Sequence, residues 1–181
     1  FNYEKYIENN EFKNGDLIYS AKGYQKNYKT NSDEIVLVNN LIYSSFSKNS
    51  SSFDGLVSNH TILLRNLNSS SENSDNYRNG EDSKLLSTII YDMKFPLKKE
   101  GSSFNKLLSP KLSARYSPNA TKNNSNLNKR IAYDSIFSLD RIDDSGVEGG
   151  ESLTLGLEYS LSNKLDKEKL NLSFANILRL E

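Results

Sequence analysis

The chain has 181 residues, 25% of them charged, and its 23 Lys+Arg balance its 23 Asp+Glu at a formal net charge of zero. That balance argues against a general nucleic-acid binder, which normally carries a basic excess. The chain has no cysteine, which excludes disulfide scaffolds and Cys-ligated zinc sites. It has a single histidine, which makes a His-based metal centre or a Ser-His-Asp triad hard to build. We therefore expect no enzyme, no metal site and no cofactor.

Eight segments alternate between apolar and polar residues, with the period of two that puts successive side chains on opposite faces of a β-strand. No segment carries a sustained helical stripe, and no apolar run approaches the roughly 20 residues of a transmembrane helix. The sequence predicts an all-β fold, an antiparallel meander of about eight long strands. In chain order the predicted strands are Phe1–Glu8, Leu17–Tyr28, Ile35–Phe46, Phe53–Leu67, Leu85–Phe95, Leu108–Tyr116, Leu153–Leu161 and Leu170–Glu181.

Most of these strands are longer than the typical globular strand of about 5–6 residues. A strand that crosses a bilayer at a tilt needs about 9–11 residues, with apolar side chains outward and polar ones inward. Length and polarity together favour an outer-membrane β-barrel with a wet lumen. The charged residues inside the predicted strands, which a sandwich core would exclude, are Lys22, Asp92, Lys94, Arg115 and Glu158.

The connections between the predicted strands alternate in length from the third onward. Outer-membrane barrels have short periplasmic turns and longer outer loops. By that rule Asn68–Ser83 and Ser117–Gly149 are outer loops, and Lys29–Glu34 is a short loop on the same side. The predicted periplasmic turns are Ser47–Ser52, Pro96–Ser103 and Ser162–Lys169.

One stretch is more specific than periodicity. Ile136–Ile142 reads Ile-Phe-Ser-Leu-Asp-Arg-Ile, and Val147-Glu148-Gly149-Gly150 then leads into an alternating strand containing Leu155-Gly156-Leu157. This order resembles the barrel domain of the LptD family (also OstA or Imp), the lipopolysaccharide-assembly proteins of Gram-negative outer membranes. Leu108–Leu112 with Tyr116-Ser117-Pro118 is similar to the preceding strand of that family. The residues that carry the resemblance are Phe137, Ser138, Leu139, Asp140, Arg141, Glu148, Gly149, Gly150 and Gly156.

The resemblance implies transport without catalysis: a barrel that inserts lipopolysaccharide into the outer leaflet of the outer membrane. The implied partners are lipopolysaccharide, an LptE-like lipoprotein plug, outer-membrane lipid, and a periplasmic Lpt bridge reached through an N-terminal jellyroll. Residues 1–181 are then an internal slice of the family's larger barrel, without that jellyroll and the remaining strands, with the most specific match over 108–160. The missing initiator Met and the ending within an alternating segment fit the same expectation.

The motif residues allow a functional and a simpler interpretation. In the functional one, an outer loop bearing Phe137, Asp140 and Arg141 folds inward and closes the lumen. In the simpler one, which we favour, the loop merely packs and Asp140–Arg141 form a local ion pair worth about 0–1 kcal/mol. Gly149-Gly150 permits a turn or bulge at the strand entry, and Gly156 permits close packing inside the barrel.

Two other architectures remain open. A self-contained eight-stranded outer-membrane barrel of the porin or OmpX type would require the first and last strands to pair. A soluble β-sandwich binding module would require an apolar core face, a polar exterior and no outward apolar band.

Overall fold

Nine antiparallel strands form one sheet in this computed structural model, which describes residues 1–7, 15–29, 31–49, 55–120, 131–141, 146–165 and 167–180, with the backbone alone for 46–49. The pairing order is β1-β2-β3-β4-β5-β7-β8-β9, and β6 pairs with β7. The predicted all-β meander is therefore confirmed. The strands are β1 (Asn2–Ile7), β2 (Gly15–Tyr28), β3 (Ser32–Asn49), β4 (Leu56–Glu72), β5 (Gly80–Lys94), β6 (Leu97–Glu100), β7 (Phe104–Ser117), β8 (Gly150–Asn163) and β9 (Glu168–Leu180).

The strands β4 and β5 extend well into the predicted outer loop Asn68–Ser83, so that loop shrinks to a turn at 73–79. Ser and Asn dominate the extension, so it has no apolar alternation to reveal a strand. The backbone ladder forms nevertheless, with Ser69 opposite Asp82 and Ser71 opposite Gly80. Cross-strand hydrogen bonding, rather than a buried apolar face, carries this part of the hairpin.

The predicted turn Pro96–Ser103 is also shorter than expected, because it contains the short strand β6. Proline has no backbone N–H and cannot continue a ladder, so β5 stops before it. The Phe95 N–H donates to the Pro110 carbonyl at 3.0 Å, and pairing with β7 resumes at Leu97 opposite Leu108. The chain then reverses through 101–103, where the Gly101 N–H donates to the Phe104 carbonyl at 2.9 Å.

Among the described residues, β1 pairs only with β2 and β9 only with β8, so the sheet is open. A self-contained eight-stranded barrel would require those two strands to pair. The open, single-layered meander fits part of a larger barrel instead. The residues Glu8, Phe53, Ile142 and Glu181, at the ends of predicted segments, lie outside the described part of the chain.

The buried side chains of the sheet are mostly polar, which a sandwich core would not tolerate. In the part of the chain that the structure describes, the buried apolar cluster consists of Val36, Val38 and Leu67, with Tyr77 packed against it. The buried polar set includes Asn40, Arg65, Thr88, Ser113, Arg115, Ser152 and Thr154. In the described part of the chain, no helix has the length and apolar character to cross a membrane.

Candidate functional site

The sheet has two faces of opposite character, which the strand β8 displays in sequence order. Leu153, Leu155 and Leu157 point to one side, the outer face, and Ser152 and Thr154 point to the other, the inner face. In each pair of neighbouring strands, outer-face residues lie opposite one another, so the same outer face continues from strand to strand. Exposed apolar residues of the outer face include Leu41, Ile62, Leu64, Leu85, Ile89, Tyr116, Leu170, Leu172, Phe174 and Leu178.

Two described parts of the connection between β7 and β8, residues 131–141 and 146–149, lie against the inner face and are called the inner loop below. It begins with a turn in which the Ile136 N–H donates to the Ala132 carbonyl at 2.9 Å, and this turn buries the Ile136 side chain. Besides this turn, hydrogen bonds and ion pairs of arginine side chains hold the inner loop in place.

Arg65, at the middle of β4, holds the inner loop from one side and is only 1% exposed. Its Nη2 donates to the Asp140 Oδ1 at 2.9 Å, and its Nη1 donates to the Gly146 carbonyl at 2.5 Å. Its Nε donates to the Asn40 Oδ1 at 2.6 Å, so a neighbouring strand fixes the guanidinium plane. The two described parts of the inner loop are thus joined through one strand residue.

Arg141 holds the loop from the other side and is 2% exposed. Its Nε donates to the Glu148 carboxylate, while Nη1 and Nη2 donate to the Thr154 Oγ1 and the Ser152 Oγ, each at 2.8 Å. The other oxygen of Glu148 forms an ion pair with Arg179 Nη2 on β9 at 2.9 Å. Removing one partner of a buried ion pair typically costs about 3–5 kcal/mol, so this cluster fixes the loop position.

Burial raises the pKa of the Glu148 carboxyl, but the hydrogen bond from Arg141 and the charges of Arg141, Arg179 and Arg115 outweigh burial. The pKa of Glu148 therefore lies below its ordinary 4.5, and the group is ionised at neutral pH.

Arg115, on the inner face of β7, binds the loop backbone between these two clusters. Its Nη1 donates to the Leu139 carbonyl at 2.8 Å and its Nη2 to the Ser138 carbonyl at 2.7 Å. A guanidinium group satisfies two loop carbonyls that would otherwise lack partners on the covered face.

Phe137 contacts the inner face where β8 has no side chain. A Cβ placed on Gly156 would lie 2.5 Å from the Phe137 ring, so glycine is needed for the ring to approach. The ring packs edge-on against Tyr133, with centroids 5.9 Å apart, and the Lys111 Nζ lies 5.4 Å from its centroid. Lys111 in turn binds Glu158 at 2.6 Å, so the ring rests on a charged strand surface.

The structure brings together most residues of the predicted motif. Phe137, Ser138, Leu139, Asp140, Arg141 and Glu148 lie in the inner loop, Gly156 lies under it, and Gly150 opens β8 at a φ of +80° that favours glycine. The local Asp140–Arg141 pair of the simpler interpretation is replaced by contacts with Arg65 and Glu148. Gly149 directly precedes β8.

Sequence reasoning missed Arg65, Arg179, Ser152 and Thr154. Arg65 lies between Leu63 and Leu67 on the same side of β4, so a charge at an inward position was visible in the sequence. What the sequence could not supply is the partner, because Asp140 is 75 residues away.

Similarity to a known protein family identifies the family of the chain. No match to the chain is found among the curated proteins. The family model described as "LptD: LPS transport system D" matches residues 44–181, which include β4 to β9, the inner loop and every residue of the predicted motif. The chain therefore belongs to the LptD family, and its role lies in lipopolysaccharide transport at the outer membrane.

Proposed function

We propose that the chain forms part of the wall of an outer-membrane barrel that inserts lipopolysaccharide into the outer leaflet without catalysis. The observation that carries this proposal is the opposite polarity of the two faces. The outer face presents Leu155, Leu157 and Phe174 where a lipid-facing wall needs apolar side chains, and the inner face presents charged and hydroxyl groups suited to water.

The inner loop would occupy the lumen of that barrel. Polar sugars and phosphates of the cargo would then move along the inner face only when the loop is displaced, while acyl chains leave through a seam between strands. The arginine ion pairs and hydrogen bonds that hold the inner loop are called its dock below. They allow the loop to be displaced, because water and the phosphate groups of the cargo can replace the partners of the arginines. The loop would act as a removable closure of the lumen.

Orientation and partners complete the proposal. The turn at 73–79 and the β7–β8 connection would face outward, and the short turns at 101–103 and 164–167 would face the periplasm. A periplasmic Lpt bridge would deliver the cargo, and an LptE-like lipoprotein would sit as a plug inside the barrel, as the family relation supports. Residues 1–181 would be one section of the larger barrel, in a Gram-negative outer membrane.

The test locks the inner loop in place. The chain has no cysteine, so Arg65→Cys with Asp140→Cys creates one addressable pair across the dock. A short bis-methanethiosulfonate reagent bridging the pair in cells that produce the full-length protein should stop newly made lipopolysaccharide from reaching the cell surface, and reductant should restore it.

A matched control uses Lys98→Cys with Glu100→Cys, another ion pair, 2.9 Å apart, on β6 and away from the loop. Bridging this pair should leave surface lipopolysaccharide unchanged. Continued export with the Arg65–Asp140 bridge demonstrably closed would overturn the role of the loop as a closure.

A further inference from the structure

The sheet is split between β5 and β7 on the side of the inner loop. The ladder of these two strands begins at Ile89 opposite Tyr116, so Gly80–Thr88 pairs with β4 alone in the part of the chain that the structure describes. The chain leaves β7 at Ser117, one residue beyond that first pair. The resulting opening is called the β5 gap below.

At the end of the β5 gap near Ser87, side chains take the hydrogen-bonding place of a strand. The Asn119 Oδ1 accepts from the Ser87 N–H at 2.7 Å, and the Ser117 Oγ donates to the Ser87 carbonyl at 2.7 Å. Asn119 Nδ2 also approaches the Leu85 carbonyl at 3.5 Å. The edge that is left, Gly80–Lys84, is five residues long, at the low end of the usual strand length of about 5–6 residues.

A cavity of about 480 Å³ lies at the β5 gap. The turn at 73–79 forms one wall and Gly146–Val147 of the inner loop forms another. That turn is itself held in place, since Glu34 accepts from the Ser74 Oγ at 2.7 Å and from the Asn76 Nδ2 at 3.2 Å. The cavity is within the usual size range of small-molecule sites, about 300–1,000 Å³.

The lining combines an aromatic ring, apolar side chains and an excess of positive charge. Tyr77 is seated on the Val36–Val38–Leu67 cluster, and Leu86 and Val147 add apolar surface. Arg78 and Lys84 face a single carboxylate of the lining, Asp82, which Lys84 contacts at 2.8 Å. Saccharides present both hydroxyls and apolar ring faces, and a phosphate on the sugar would meet the surplus cation.

From these observations we infer that the cavity at the β5 gap is a subsite for a phosphorylated saccharide. The inference rests on the proposed function, in which the cargo carries such a saccharide, and adds a place where it binds. Leu85, on the outer face beside the gap, is 70% exposed, so the cavity and the apolar exterior meet at this point of the wall. The subsite would hold the polar part of the cargo next to the lipid-facing surface.

The test measures binding to the full-length protein in detergent micelles. The probes are delipidated phosphorylated core oligosaccharide of lipopolysaccharide, the same oligosaccharide after phosphatase treatment, and inorganic phosphate. Arg78→Gln with Lys84→Gln should weaken binding of the phosphorylated probe at least tenfold, and phosphatase treatment should weaken binding to the unchanged protein similarly. Inorganic phosphate should bind far more weakly than the oligosaccharide, because it lacks the sugar that contacts Tyr77.

Lys98→Gln with Lys99→Gln removes two lysines at the opposite end of the sheet and should leave affinity unchanged. Ala120→Phe, which fills the cavity without removing charge, should weaken binding as well. Equal affinity of the unchanged protein, the Arg78/Lys84 variant and the Ala120 variant would overturn the subsite.

Surface lipopolysaccharide after depletion of the protein is a separate readout. Its persistence would overturn the proposed function, whereas its loss together with equal affinities would overturn the subsite alone.

Discussion

Two segments fold over the inner face, and they are anchored by groups of opposite charge. In the turn at 73–79, neutral donors converge on one carboxylate, Glu34, which is 3% exposed. In the inner loop, the guanidinium groups of Arg65, Arg115 and Arg141 bind loop carbonyls and carboxylates. The turn joins β4 and β5 and takes its anchor from the adjacent strand β3, whereas the loop depends on strands β4, β7, β8 and β9 at once.

The difference predicts that the loop is far more sensitive to loss of a single anchor than the turn. Arg141→Met should show the largest effect, because it leaves Glu148 buried with one partner fewer. We expect the dock of the inner loop to lose about 3–5 kcal/mol. Hydrogen–deuterium exchange of residues 131–141 in the full-length protein should become much faster, while exchange at 73–79 should not change.

Arg179→Met is the matched control for Arg141, since it removes the other cation on the same carboxylate. Arg179 is 57% exposed, so its pair is screened by water and should contribute about 0–1 kcal/mol. Equal acceleration in the two variants would contradict the view that the buried member of the cluster dominates.

Acid should weaken the same cluster without any mutation. The pKa of Glu148 is lowered in the folded protein, so its contribution to stability is complete above the ordinary value of 4.5 and is lost as the pH falls through the lower folded-state pKa. Loop exchange, corrected for its intrinsic pH dependence, should therefore rise only below about pH 4.5. Glu148→Gln should remove this acid-dependent step, and a step that persists in the variant would assign it to another group.

A smaller effect is expected at the contact between Phe137 and β8. Gly156→Ala adds a Cβ 2.5 Å from the aromatic ring and should displace the ring at a cost of about 1–3 kcal/mol. Phe137→Leu combined with Gly156→Ala should recover part of that loss, because the shorter side chain leaves room. Limited proteolysis during heating measures the temperature at which the loop is released, and this temperature is compared between the two variants. If the double variant recovers no stability, the strain lies elsewhere.

The same contrast explains how far the sequence could predict this molecule. Alternation predicted Leu108–Tyr116 and Leu153–Leu161 as strands and indicated a wet lumen for Arg115 and Glu158, because a period of two needs no knowledge of partners. Alternation failed at Asn68–Ser71, where both faces are polar and the ladder alone makes the strand. The dock of the inner loop was beyond reach for another reason: the register of several strands decides which arginine meets which carboxylate.

The turn at 73–79 should respond least, and in a way that separates it from the loop. Glu34→Gln keeps the size of the side chain but removes the charge that accepts from Ser74 and Asn76, so the turn should lose only about 1–2 kcal/mol. Exchange at 73–79 should rise modestly and exchange at 131–141 should stay constant. Glu81→Gln, at an exposed carboxylate near the start of β5, should change neither. If Glu34→Gln also released the inner loop, the two segments would form one cooperative closure, since both line the cavity at the β5 gap and loss of one wall would then expose the other.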